Sequence, residues 1–463
     1  MAVRVLVGGS LMHGGGIDAA AFAADLDRHH IDYVAADAGS SDPGPAYLGS
    51  GESMTHRAGL KQALEGMLVA VRERNIPLLI GSAGIAGRCE QVDLFRDLIF
   101  EIAKERNLKP FSLATIYSDV STDRVNQALA AGKVTPLGPV VPLTREIVDG
   151  STHIVAMMGA EPMIKALSEG ADVVVAGRSS DSALFAAFAL WKGSAAAPTW
   201  HMSKTIECGS LCSERGPGVS SGIWAEVDGD RFVVGTTDPA VDARCTPLSV
   251  AAHTLYENSS PYFLFEPSGM IDTRDASYQQ RDEWSVEVSG TRFDEAEQYT
   301  VKLEGASLVG YRTLTIAGID DPILIAQLDD YLDVCRQKTL SKLQSQGFNS
   351  AEVMINFRRY GAGEAIDGGM AVGIIGDVIG PDQETANAGA NMLHGALLHG
   401  TYAGRMGTAG NMAFPFSPCD VPAGPVYRFS VWHLMAIDDP LEPFDIQMHA
   451  VNRVAEAVGA NRA

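Results

Sequence analysis

Six short, predominantly apolar runs, separated by glycine-rich turns and helical stretches, constrain this chain more than any other feature. They fall at residues 3–7, 33–36, 78–80, 113–117, 154–157 and 173–176. A strand with one wet face alternates apolar and polar residues, whereas a strand covered on both faces is apolar throughout. Between the runs, Leu60, Leu64, Met67, Leu68 and Val71 recur at helical spacing, as do Phe95, Leu98, Ile99 and Ile102. The pattern predicts an α/β fold: over residues 3–190, a mainly parallel sheet covered by helices on both faces.

After Asp181 the rhythm changes to glycine-rich loops and short strands, read as a cap or insertion around residues 195–290 of a first domain spanning 1–290. From about residue 291 strands, a long helix, two more strands, a second helix and a last strand follow, predicting a C-terminal α+β domain of ferredoxin-like character over 291–463. With 463 residues the chain is long enough for two such cores.

Charge narrows the partners. Asp and Glu total 57 against 35 Lys and Arg, a net charge of −22 that repels phosphate backbones and anionic lipid, so neither nucleic acid nor membrane is expected. The chain opens on a strand-like run rather than an export signal, and no apolar stretch reaches ~18 residues, which points to a cytoplasmic protein. Six scattered cysteines then read as reduced thiols. Size and the prevalence of symmetric assemblies favour a homo-oligomer.

Ligands of open α/β sheets sit beyond the carboxyl ends of the strands, so chemistry is sought in the loops there. The first run leads to Gly8, Gly9, Ser10 and then His13 to Gly16; the second to Asp37, Ser40, Ser41 and Asp42; the third to Ser82 and Gly84; the last to Arg178 and Asp181. Glycine amides beside helix N-termini can hold a carboxylate or phosphate. Equally, glycines close tight turns and Asp181 caps a helix. Neither GxGxxG nor GxxxxGK[ST] occurs in these loops, so no nucleotide cofactor is indicated. Arg178 offers a planar fork for a carboxylate, with an internal clasp to Asp181 as the alternative. Asp37 and Asp42 around two serines could supply a general base, a hydrogen-bonding cradle or a hard-cation site for magnesium, and a turn of that composition also needs no chemistry. Glu207 and Cys208 put a carboxylate beside a thiol. His201, Cys212 and Cys245 make a poor zinc set. His253 completes the ionisable candidates.

Eight segments carry a resemblance: DAGSSDPGPAYLGSG, IPLLIGSAGIAG, HIVAMMGAEP, DVVVAGRSSDSALFAA, KTIECG, RCTPLSVAAHTLYEN, QYTVKLEGASLVGYR and GPVYRFSVWH. Together they resemble the acyclic terpene utilisation, or AtuA-like, family from about residue 3 to about residue 450, and His13 to Gly16 is a departure from it. The resemblance implies bacterial catabolism of acyclic terpenes such as citronellol and geraniol, or of other small organic acids, with a small carboxylate or acyl-CoA thioester as substrate. The expectation is a lyase/hydratase or isomerase in which Asp37, Glu207 or Cys208 moves a proton. Ser10, Ser40, Ser41, Asp42, Ser82, Gly84, Arg178, Asp181 and His253 would bind the substrate. A non-catalytic ligand-binding or scaffold subunit is the alternative.

Overall fold

The structure, a computed structural model, describes residues 2–12, 17–215, 222–238, 242–361, 371–407 and 410–452. The loop His13 to Gly16 lies outside them. The chain forms two compact units, one running to Ala306 and resuming at Phe429, the other Ser307–Arg428.

The first unit is built on a ten-stranded sheet. Its centre is parallel, in the spatial order Val3–Val7, Tyr33–Asp37, Leu78–Gly81, Val173–Ala176, Phe111–Tyr117. Both flanks are antiparallel. Ile223–Asp228 pairs with Val3–Val7 and is followed by Arg231–Thr236, Ser285–Ser289 and Ser277–Gln280, while Asp445–Val451 pairs with Phe111–Tyr117. With four parallel pairs against five antiparallel ones, the sheet is mixed and not mainly parallel, which corrects the sequence expectation outside the centre. The physical reason is local: Ile223–Asp228 and Arg231–Thr236 are joined by a two-residue turn with Gly229 at φ 61°, and such a turn can only make a hairpin.

Residues 154–157 bring a second correction. The strand His153–Met157 is absent from the large sheet and pairs antiparallel with the start of Thr300–Ile319, placing Glu304 opposite Val155. An apolar run shows that a strand is covered; it does not say by which neighbour.

Side-chain alternation divides the centre between two cores. Leu6, Val34, Ile80 and Val175 face the helices Ala19–His29, Arg57–Arg74 and Cys89–Glu105 on one side. Val5, Tyr33, Leu79 and Val174 face Glu161–Ser168, Asp181–Trp191 and Ala196–Ile206 on the other. Asp181–Trp191 is apolar nearly all round and buried, as a helix enclosed by protein must be. Tyr33 fixes it, stacking on Phe188 at 4.6 Å and donating its hydroxyl to the Phe185 carbonyl at 2.5 Å. Ser180 caps this helix through the Ala183 N–H, which sets the loop 177–181 against the strand end.

In the second unit Met354–Tyr360 and Val372–Gly380 are antiparallel, and Val372–Gly380 pairs with Tyr311 to Ile319 of the long strand. The helices Leu328–Ser345 and Gln383–His399 bury Leu332, Leu343, Leu393 and Leu397 in a core of their own. Among the described residues no helix is long and apolar enough to cross a membrane.

Candidate functional site

The glycines of the strand-end loops pack loop against loop. A Cβ on Gly39 would lie 2.2 Å from the Ser82 carbonyl oxygen, and one on Gly87 would lie 2.0 Å from the Arg178 backbone nitrogen. Gly84, at φ 69°, has Gln91 against it, where a Cβ would meet the glutamine Cβ at 2.6 Å. These amides are therefore placed by close backbone approach, the turn-closing alternative raised by the sequence. Ser82 itself sits at φ 49°.

Arg178 lies at the centre of this packing and is 4% exposed. Its Nε and Nη2 donate to the two Glu304 carboxylate oxygens at 3.1 and 3.3 Å, and Nη1 donates to the Ser82 hydroxyl at 3.1 Å. Asp181, at 3.8 Å, is a charge neighbour without a hydrogen bond, and its Oδ1 is buried without a partner. The main clasp is thus to Glu304, 126 positions along the chain. Lys302 donates to the same carboxylate at 2.7 Å and stands 3.4 Å over the Trp432 ring. Burial alone would raise the Glu304 pKa, but Arg178 and Lys302 together pull it down to about 2.

A second group surrounds Lys204. This buried cation bonds Glu207, the residue ending the helix Ala196–Ile206, and Glu207 also accepts from the Ser182 hydroxyl at 3.0 Å. Glu266 accepts from Ser180 at 2.6 Å. Burial pushes Glu207 up to about 8 and Glu266 to about 7, with Asp181 adding repulsion and Lys204 opposing it. Asp37 is raised well above the ordinary carboxylate range by burial and by Asp181, although Gly39 donates its N–H to it at 3.2 Å. Asp181 is raised by burial against the pull of Arg178.

Ser10, Asp37, Glu207 and Cys208 line one cavity of about 680 Å³. It opens where the parallel centre of the sheet gives way to the antiparallel flank, between Val3–Val7 and Ile223–Asp228. Phe22, Phe185 and Ile223 give it apolar walls. Arg178, Asp181 and Ser82 do not line it, although Asp181 stands near enough to Asp37 and Glu207 to raise the pKa of both.

The remaining candidates separate. Ser40 accepts the Asp42 N–H at 3.1 Å within its own turn, Ser41 accepts the Gly44 N–H through its carbonyl, and Asp42 is exposed. Burial and Glu207 push the Cys208 thiol up to about 12, so it stays protonated at neutral pH. His253 is buried on Tyr256 with Nε2 unpartnered, and burial pulls it down to about 4, a neutral imidazole. His201 is a buried core histidine bonded to Thr291 at 2.6 Å. Cys212 and Cys245 are free and buried, and among the described residues no three His, Cys, Asp or Glu side chains group to hold a metal ion.

Sequence reading missed Glu304, Lys302, Lys204 and Glu266. Only Lys204 had a local signal, standing three residues before Glu207 on a helix. Glu304 and Lys302 arrive on the strand paired with His153–Met157, and Glu266 arrives from a separate three-stranded sheet.

A mixed α/β fold with a carboxyl-lined cavity beside its first strand defines the class of protein. The model of the acyclic terpene utilisation family protein AtuA matches residues 12–368, and the chain belongs to that family. No curated protein and no solved structure matches it.

Proposed function

We propose that this member of the acyclic terpene utilisation family is an enzyme that adds or removes water, or shifts a double bond, in a small catabolic intermediate: a lyase/hydratase or isomerase. The observation that carries this reading is Glu207, a cavity-lining carboxyl with a pKa of about 8. A carboxyl tuned close to neutral pH can both give and take a proton, which the ordinary carboxylate range does not allow. In hydration, protonated Glu207 delivers its proton to one carbon of the double bond. The water adding to the other carbon surrenders a proton to the Glu207 carboxylate so formed, directly or through solvent, which restores the site. Dehydration reverses these transfers. In isomerisation one carboxylate removes an allylic proton and returns it at the far carbon.

Burial sets the raised proton affinity of Glu207 and Lys204 moderates it, and the Cys208 thiol on the same wall can donate a hydrogen bond to a substrate. Arg178 is a positioning residue: its clasp with Glu304 holds the loop 177–181 and the helix start after it, from which Ser180 and Ser182 reach Glu266 and Glu207. Candidate substrates are acyclic terpenoids and other small organic acids or their thioesters. The ferredoxin-like likeness of the second unit belongs to the proposal too, supported by its strand, helix, strand, strand, helix, strand order. So does assembly as a homo-oligomer, on size and base rate.

Incubation with such compounds in deuterated water, followed by NMR, tests the reaction. Deuterium entering carbon positions next to a double bond, and its loss in Glu207→Gln, is expected. Absence of incorporation and of product across alcohols, enoic acids and thioesters leaves the chain a ligand-binding subunit.

A further inference from the structure

We infer that the cavity selects a substrate whose head group is uncharged, an alcohol or carbonyl compound rather than a free carboxylate or a coenzyme thioester with its phosphates. This rests on the acid–base reading of the same cavity and names the head group that reading leaves open. The charged side chains around the cavity carry the argument, because each already has its partner. Asp18 accepts the Ala20 and Ala21 N–H groups, both at 3.0 Å, as the cap of its helix. Asp25 holds Arg28 at 3.0 Å, and the same guanidinium donates to the Thr237 carbonyl at 2.8 Å and stands 3.9 Å from Asp238. Glu207 is bonded to Lys204, and Asp37 to Gly39.

Among the described residues, a carboxylate entering this space finds no cation in want of a partner. Arg28 is the cation of the described cavity wall, set among Asp18, Asp25 and Asp238. The field of these described side chains is therefore of the wrong sign for an anion, and among them the removal of the ligand's charge from water goes uncompensated. An ammonium gains little more, since it would have to compete for carboxylates that are capped or paired. An uncharged head group needs only hydrogen bonds, which the Cys208 thiol and the Ser10 hydroxyl at the wall can make. The hydrocarbon part then meets Val7, Phe22, Phe185 and Ile223. The anion-binding role expected of Arg178 does not rescue a carboxylate, because both faces of that fork are taken by Glu304 and Ser82.

Citronellol and citronellate share one skeleton and differ in head group, so calorimetric titration of the full-length protein with each at neutral pH decides the matter. Citronellol is expected to bind more tightly by roughly tenfold or more, the factor set by about 1.4 kcal/mol. Added salt should narrow the gap by screening the Asp25 and Asp238 charges, and Asp25→Asn should narrow it several-fold by strengthening citronellate alone. Citronellate binding as tightly as citronellol, or neither binding, overturns the inference, whether or not turnover is seen. Preferential binding of citronellol without any product upholds the head-group selection and removes the catalytic reading instead.

Discussion

Two buried ion pairs in the first unit, Arg178 with Glu304 and Lys204 with Glu207, are built from the same chemistry and end in opposite states. Glu304 is 2% exposed and Glu207 8% exposed, so burial does not separate them. Stoichiometry does. Glu304 is one carboxylate between two cations, Arg178 and Lys302, and is held at about 2. Lys204 is one cation acting on three carboxyls, Glu207, Glu266 and Asp181, and cannot offset the burial of all of them. Glu207 and Glu266 accordingly rise to about 8 and about 7. The first pair is a fixed structural charge, and the second holds carboxyls whose pKa values lie near neutral.

The comparison breaks most visibly at Glu304. Glu304→Ala leaves Arg178 and Lys302 buried around a missing counter-charge and should cost about 3–5 kcal/mol of stability by urea unfolding. Arg178→Ala is expected to mimic it, and Arg178→Lys to recover little, since an ammonium cannot span both carboxylate oxygens. A folded Arg178→Ala protein of unchanged stability, inactive only in substrate binding, would restore Arg178 as a ligand anchor. At the other pair the larger loss is in rate. Glu207→Gln should lower turnover by roughly 100-fold or more while destabilising the protein less than Glu304→Ala; full activity in this variant would remove Glu207 from the chemistry.

Stability against pH sharpens the contrast, because the two regions pull in opposite directions. Glu304 lies below its ordinary value of 4.5, so its contribution is present above pH 4.5 and lost as pH falls toward 2. Glu207 and Glu266 lie above 4.5, so theirs is present below that pH and lost as pH rises through about 7 to 8. Melting temperature followed from pH 4 to 9 should therefore decline on the alkaline side, less steeply in Glu207→Gln. An identical slope in the variant would show that Glu207 titrates normally. The smallest effect belongs to Asp42→Asn: this exposed turn residue lies outside both clusters, and stability should stay within about 0.5 kcal/mol of the parent. A large loss of ligand binding there would extend the site to the turn.

The sequence by itself determined the central architecture. Runs such as Val173–Ala176 are apolar at every position, and only a strand covered on both faces accommodates that, so the parallel centre and its helical layers were legible. The loops holding Asp37, Ser82, Arg178 and Glu207 were legible as well, because they follow strand or helix ends. Pairing was not. The antiparallel flanks, the transfer of His153–Met157 to the strand Thr300–Ile319 and the delivery of Glu304 to Arg178 all depend on contacts between residues far apart in the chain. Local periodicity carries no term for them. The same holds for charge state: Arg178, Glu207 and Glu304 read alike as ionisable residues in the sequence. Only the tertiary structure set how many cations face each buried carboxyl, and that count decided which is held ionised and which lies near neutral.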